Sequence, residues 1–125
     1  MPETKKDKLD TILARFGEVG QIKAAGIVSK EGLLITALMP PEMNERIVAA
    51  LCSTIMASAE TASTQMGTGS VSDIHVKTEQ GTILLQPAGE KAILIALADS
   101  GAQLGLIMME IEVRAKQVQE ILEEV

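Results

Sequence analysis

Residues 41–66 read PEMNERIVAALCSTIMASAETASTQM, and no charged side chain falls between Arg46 and Glu60. Pro41 suits the first turn of a helix, where its missing N–H costs nothing, and Glu42 and Glu45 sit near the positive end of the helix dipole. The large apolar residues Ile47, Leu51 and Ile55, with Val48, Cys52 and Met56 beside them, recur at three-to-four spacing and build one stripe. The opposite side carries Ala49, Ala50, Ser53, Thr54, Ala57, Ser58 and Thr61, small residues that let another backbone approach closely. A helix on the surface of a small monomer needs a charged, solvated back face. This one has none, so the pattern predicts a long helix that meets another protein as well as its own core.

The flanks of that helix decide what it packs on. Upstream, Ile22 to Ser29 and Leu33 to Leu38 read as extended runs joined by Lys30-Glu31-Gly32, whose glycine supplies the positive φ of a tight hairpin. Pro40 and Pro41 stop the second run, since neither can donate a ladder bond. Before the hairpin, Leu9, Ile12, Leu13, Phe16 and Val19 share one face of a short amphipathic helix ending near Gly17 to Gly20.

Downstream, Gly67-Thr68-Gly69-Ser70 ends the long helix, and Val71 to Thr78 alternates, with Ile74 and Val76 on one face and Asp73, His75 and Lys77 on the other. Glu79-Gln80-Gly81 turns the chain into Thr82 to Gln86, and Pro87 to Glu90 turns it again into the apolar run Ala92 to Ala98. Ser100 is placed to cap a last helix, where Leu104, Ile107, Ile111, Ala115, Val118, Leu122 and Val125 form the apolar stripe. Glu110, Glu112, Arg114, Lys116, Glu120 and Glu123 give that helix a wet side.

The order helix, two strands, long helix, three strands, helix predicts an α/β fold. Its form is a three-layer sandwich around a five-stranded, mostly antiparallel sheet, with the long helix on one face and the terminal helices side by side on the other. The 125 residues suit a single domain spanning 1–125, with no linker or composition shift to divide them. Hydrophobic residues make up 46%, yet Phe16 is the only aromatic, so the interior must be filled by Ile, Leu, Val, Met and Ala. Such a chain lacks the stacking residues of single-strand nucleic-acid grooves, and a net charge of −6 with scattered Lys and Arg offers no stripe for a phosphate backbone. Nucleic acid is not an expected partner.

Catalysis and metal binding have little to build on. Cys52 and His75 are the only thiol and the only imidazole. Nucleophilic chemistry needs such a pair within hydrogen-bond reach, plus an orienting group. Cys52, mid-helix among Leu51, Ile55 and Met56, reads as a small buried hydrophobe, and His75 lies on the polar side of a strand. No Cys-x-x-Cys or paired histidine suggests zinc. Gly17-Glu18-Val19-Gly20 and Gly67-Thr68-Gly69-Ser70 follow helices and lack phosphate-loop order, so they read as caps and turns. The adjacent Met108 and Met109 cannot both face inward. No metal, cofactor or enzymatic activity is expected. A lone cysteine suits a reducing compartment, the charged Met1 to Lys8 is no signal peptide, and no uncharged segment reaches the roughly 18 residues of a spanning helix, so the expected location is the cytoplasm, without membrane insertion.

Gly26-Ile27-Val28-Ser29-Lys30-Glu31-Gly32-Leu33, the long helix, Gln80-Gly81-Thr82-Ile83-Leu84-Leu85-Gln86-Pro87 and Asp99-Ser100-Gly101-Ala102-Gln103-Leu104-Gly105-Leu106 together resemble the roadblock family, also called the dynein light chain roadblock type. The match covers nearly the whole chain and is closest to prokaryotic single-domain members. The resemblance implies a homodimer joined through antiparallel middle helices and through the third strand, which would continue the sheet into its twin. The interface or partner platform would then comprise Ile47, Ala50, Leu51, Ser53, Thr54, Ile55, Ala57, Ser58 and Thr61 of the helix, with Val71, Asp73, His75 and Lys77 of the strand. Leu51 and Ile55 would anchor packing on the sheet or across the axis, and which helix face meets the twin stays open. Family members act as non-enzymatic platforms for small Ras-like GTPases, some of them governing cell polarity and motility. The implied function is to bind such a GTPase and stimulate its hydrolysis or position its switch regions, without reliance on an arginine finger. A structural adaptor without nucleotide sensing is the alternative.

Overall fold

The computed structural model describes residues 2–124. Its elements follow in the order α1 (Lys5–Gly17), β1 (Ile22–Ser29), β2 (Leu34–Leu38), α2 (Glu45–Met66), β3 (Ile74–Thr78), β4 (Gly81–Ala88), β5 (Ala92–Asp99) and α3 (Leu104–Leu122). The five strands form one sheet in the order β2-β1-β5-β4-β3, and every neighbouring pair is antiparallel. The β1–β2 hairpin therefore docks beside β5 at one side of the β3–β4–β5 meander, leaving β2 and β3 as the two edges.

Alternation along the central strands divides the interior into two cores. Ile27, Leu84 and Leu94 face α1 and α3, where they pack with Leu9, Leu13, Phe16, Ile107, Ile111 and Val118. Val28, Leu85, Ile93 and Ile95 face the other way and pack under α2 against Ala49, Cys52 and Met56. Burial on both faces explains why β5 lacks the polar alternation of β3. Phe16 is completely buried between α1 and the sheet. Complete burial of one such aliphatic or aromatic side chain is worth about 1.5–3 kcal/mol, so these two clusters are what hold the layers together.

Local chemistry sets the element ends. Thr4 caps α1 in a reciprocal box: its hydroxyl accepts from the Asp7 N–H, and the Asp7 carboxylate accepts from the Thr4 N–H. The hairpin turn at Lys30–Gly32 forms as expected, with Gly32 at φ 97°. Lys8 pairs with Glu124 at 3.1 Å and ties the start of α1 to the end of α3, which lie side by side.

Several sequence expectations shift at the boundaries. The long helix starts at Glu45 and not at Pro41, because the Asn44 side chain accepts from the Ile47 N–H, while Pro40–Met43 form a turn closed by the Met43 N–H donating to Pro40. The second strand begins at Leu34, since Leu33 completes the hairpin turn. The third begins at Ile74, so Val71 and Asp73 precede it. Pro87 lies inside β4 opposite Ile93 instead of in a turn. Ser100 does not cap α3: the cap position is Gln103, which makes no side-chain bond to the helix. Val19 sits beyond the end of α1 but packs against the same core. The place of Val125 in the last stripe lies outside the described residues.

Candidate functional site

The sheet carries two helices on one face and only α2 on the other. Three contacts fix where α2 rests. The Ser53 hydroxyl donates to the Lys30 carbonyl at 2.7 Å, the Lys30 ammonium lies 3.5 Å from Glu60, and Gly32 stands against Ala50 and Ser53 at a distance a methyl group would just fill. Ala49, Cys52 and Met56 point down into the sheet.

The stripe expected from Ile47 through Met56 thus divides along its length. Val48, Cys52 and Met56 turn toward the sheet, but Ile47 and Leu51 are 56% and 58% exposed and Ile55 is 36% exposed. Ala49 and Ser53 are buried on the underside, and Ser53 lies with Ala50 against Gly32, where a helix drawn tightly onto a hairpin leaves room for little more than a methyl or hydroxymethyl. Leu51 and Ile55 therefore do not anchor α2 on the sheet. Ser53, expected on the platform, is buried and serves as a tie to the β1–β2 turn.

The outward surface of α2 carries Ile47, Ala50, Leu51, Thr54, Ile55, Ala57, Ser58 and Thr61, all exposed. It is less polar than its composition suggests. Thr54 and Thr61 donate their hydroxyls back to the carbonyls of Ala50 and Ala57 within the helix, at 2.9 and 3.0 Å. Their methyl groups are left to meet whatever approaches. Uncharged and apolar, this surface has the makeup of the core of a protein–protein interface.

Beside α2 the sheet is only partly covered. An apolar groove of about 260 Å³ opens between the first half of the helix, the β2–α2 connection and strands β1, β5 and β4, lined by Ala24, Met39, Met43, Val48, Cys52, Ile83, Ile95 and Leu97 among others. Burial pushes the Cys52 thiol above its usual pKa, which disfavours the reactive thiolate. Sequence reasoning missed Met39, Met43, Ile83 and Leu97; the lone helix on this face was the clue, since one helix about 10 Å across cannot roof five strands spaced about 4.8 Å apart.

Beyond the groove lies β3, an edge strand whose outer backbone groups have no ladder partner. Ile74 turns toward the α2 side with Ile83, and His75, opposite Leu84, toward the other face. His75 Nε2 lies 3.6 Å from Asp73 Oδ1. His75 and Lys77 thus share the expected edge, while Val71 is partly buried beneath the end of α2. Cys52 and His75 stand on opposite sides of the sheet and make no catalytic pair. Among the described residues no cluster of three His, Cys, Asp or Glu side chains is grouped to hold a metal.

Two further apolar features bear on how the chain meets its surroundings. On α3, Leu106, Met109 and Val113 are more than half exposed, and Met108 is exposed as well, so neither adjacent methionine faces inward. By length and apolarity alone, α2 is one helix that would be sufficient to cross a membrane. Its underside is instead packed on the sheet through Ala49, Cys52 and Met56.

The Roadblock/LC7 domain family model matches residues 8–98. The chain is 29% identical over 110 residues to the uncharacterised protein MJ1340 of Methanocaldococcus jannaschii, covering 88% of this chain and 96% of that one. Among solved structures, MglB of Myxococcus xanthus superposes with a TM-score of 0.90 at 18% identity, over 98% of this chain and 93% of MglB. The gliding protein MglB of Thermus thermophilus gives 0.88 at 16% identity, over 100% of this chain and 96% of its own. At these identities the structural likeness speaks for the fold alone.

Proposed function

The chain belongs to the Roadblock/LC7 domain family, and from that membership we propose that it is a homodimeric, non-enzymatic platform that binds and regulates a small Ras-like GTPase. Residues 1–125 act as one roadblock-like unit in the cytoplasm of a prokaryotic cell. The likeness to a gliding protein supports a setting in polarity or motility.

The observation that carries this reading is the outward face of α2, which is free of charge from Ile47 to Ala59 and held in place by a buried underside. A monomer has no use for three exposed large aliphatic residues on one helix, since contiguous apolar surface of that kind marks interaction sites. The adjoining edge strand β3 supports a two-fold pairing, in which each copy's edge would protect the other's. The paired α2 helices then form one composite surface for the GTPase. Regulation proceeds by repositioning the partner's own groups, because Arg46 at the start of α2 is the helix's single arginine and lies at its periphery.

The test is a pull-down from native lysate with the tagged full chain, run in parallel with GDP and with a non-hydrolysable GTP analogue. Preferential recovery of a small GTPase with the analogue supports the reading. Recovery of a nucleotide-indifferent partner and no GTPase moves the assignment to a structural adaptor.

A further inference from the structure

We infer that the outward face of α3 is a contact between two copies of this chain, in which Leu106, Met109 and Val113 of each helix lie antiparallel against those of the other. The sheet stands between this face and α2, so the contact is separate from the α2 surface described above.

Position along the helix builds the stripe. Ile107, Ile111, Ala115 and Val118 point into the core. A rotation of about 100° per residue then turns Met109 directly outward, with Leu106 and Val113 beside it. These three are 69%, 55% and 53% exposed, so nothing in their own chain covers them. The nearest charges on one flank are withdrawn into each other, with Arg114 Nη2 at 2.6 Å from Glu110.

The start of α3 adds a charge preference. Its ladder begins with the Ile107 N–H donating to the Gln103 carbonyl, so the N–H groups of Gly105 and Leu106 come before it. The Gln103 side chain makes no bond to the helix, and the first turn holds no acidic residue. A helix start left in that state favours an approaching carboxylate. Nothing lies within 4 Å of where a Gly105 side chain would begin, which leaves the approach open. Glu112, exposed, stands two turns further along the same face.

A two-fold axis at Met109 satisfies the stripe and the helix start together. Sequence positions on antiparallel helices run in opposite directions, so Met109 meets its own copy and Val113 falls against Leu106 and Gly105. Glu112 then lies beside the open first turn of the other helix, and the same two contacts recur on the far side of the axis. Other occupants fit less well. A convex helix face encloses no small molecule. An anionic lipid surface selects Lys and Arg, whereas this face carries Glu112 and Glu120 on a chain of net charge −6. Three residues with Met108 beside them make a patch much smaller than the roughly 800 Å² per partner of a standard interface, so the contact forms at high chain concentration.

Sedimentation equilibrium at about 1 mM compares the wild type with Met109→Asp, verified as folded by circular dichroism. The wild type should reach at least twice the mass of the variant. The variant is itself a dimer if the homodimer proposed above holds and a monomer if it does not, so the two readings fail separately. Equal masses for wild type and variant overturn the α3 contact. Glu112→Gln should raise its Kd about 3- to 30-fold, through one carboxylate lost from each of two helix starts, and an unchanged Kd overturns the pairing. Isotope-filtered NOE spectroscopy on mixed labelled and unlabelled wild-type chains should join Leu106 methyls of one copy to Val113 methyls of the other. A doubled mass without those NOEs also overturns it.

Discussion

Leu51→Asp separates the role of the outward α2 surface from that of the protomer's own core. In the protomer Leu51 is 58% exposed and lies outside both buried clusters. Its replacement should therefore change protomer stability by less than about 0.5 kcal/mol, the range of surface substitutions. In the dimer the same residue would be covered. Burying a leucine completely is worth about 1.5–3 kcal/mol, so covering the exposed 58% is worth about 0.9–1.7 kcal/mol. Two-fold symmetry doubles the loss to about 1.7–3.5 kcal/mol, or roughly 20- to 400-fold in Kd, before any charge effect. Desolvating an unpaired carboxylate in each protomer adds several kcal/mol more, and the combined effect exceeds about 10³-fold. Sedimentation equilibrium from 0.1 to about 100 µM reads the association, and thermal melts at the dilute end read the protomer. A variant that keeps the wild-type mass distribution would refute the reasoning, as would one that unfolds when dilute.

Other consequences follow from groups already placed. Met56→Ala removes a 2% exposed side chain from beneath α2 and should cost about 2–5 kcal/mol in urea unfolding, loosening the helix from the sheet. Ser53→Ala leaves the Lys30 carbonyl without the hydroxyl it accepts from, and should cost about 1–3 kcal/mol while the circular dichroism spectrum stays unchanged. Asp10 accepts a hydrogen bond from the Thr36 hydroxyl and pairs with Lys6, which together hold its carboxyl below the usual range. A carboxyl lowered in the folded state contributes stability that is present above its unfolded pKa of about 3.9 and lost as pH falls through the lower folded value. Unfolding curves from pH 7 down to about 2 should record that loss, and Thr36→Val should flatten it.

How much of this was legible in the sequence depends on the range of the forces involved. Element order was legible because hydrophobic period and turn chemistry are local: the Gly32 hairpin, the alternation at Ile74–Thr78 and the stripe Ile107–Val118 each carry their own signal. The start of α2 was not, because Pro41 and Asn44 both suit a helix entrance and the choice fell to a side-chain bond from Asn44. Pro87 was read as a turn, but its missing N–H is no obstacle within β4 opposite Ile93. The largest difference concerns α2. Periodicity grouped Leu51 with Met56, yet which side of a broad stripe faces the sheet is a tertiary matter. It was decided by the close approach of Ala50 and Ser53 to the hairpin, which turns Ala49, Cys52 and Met56 down into the sheet. The groove combines residues from β1, β4, β5 and α2, and no local pattern announces such a meeting.

The central claim is that the uncharged α2 surface receives a nucleotide-sensing partner. Isothermal titration of the recovered GTPase, loaded with GDP or with a non-hydrolysable GTP analogue, against the wild-type chain and against Ala57→Arg tests it most directly. Ala57 is exposed on the outward surface of α2 and does not line the groove. The account predicts tighter binding of the GTP-analogue form to the wild type. It also predicts that the added arginine weakens that binding at least tenfold, by about 1.4 kcal/mol or more, with the dimer intact. Equal affinity for both nucleotide states, or undiminished binding to Ala57→Arg, would contradict it.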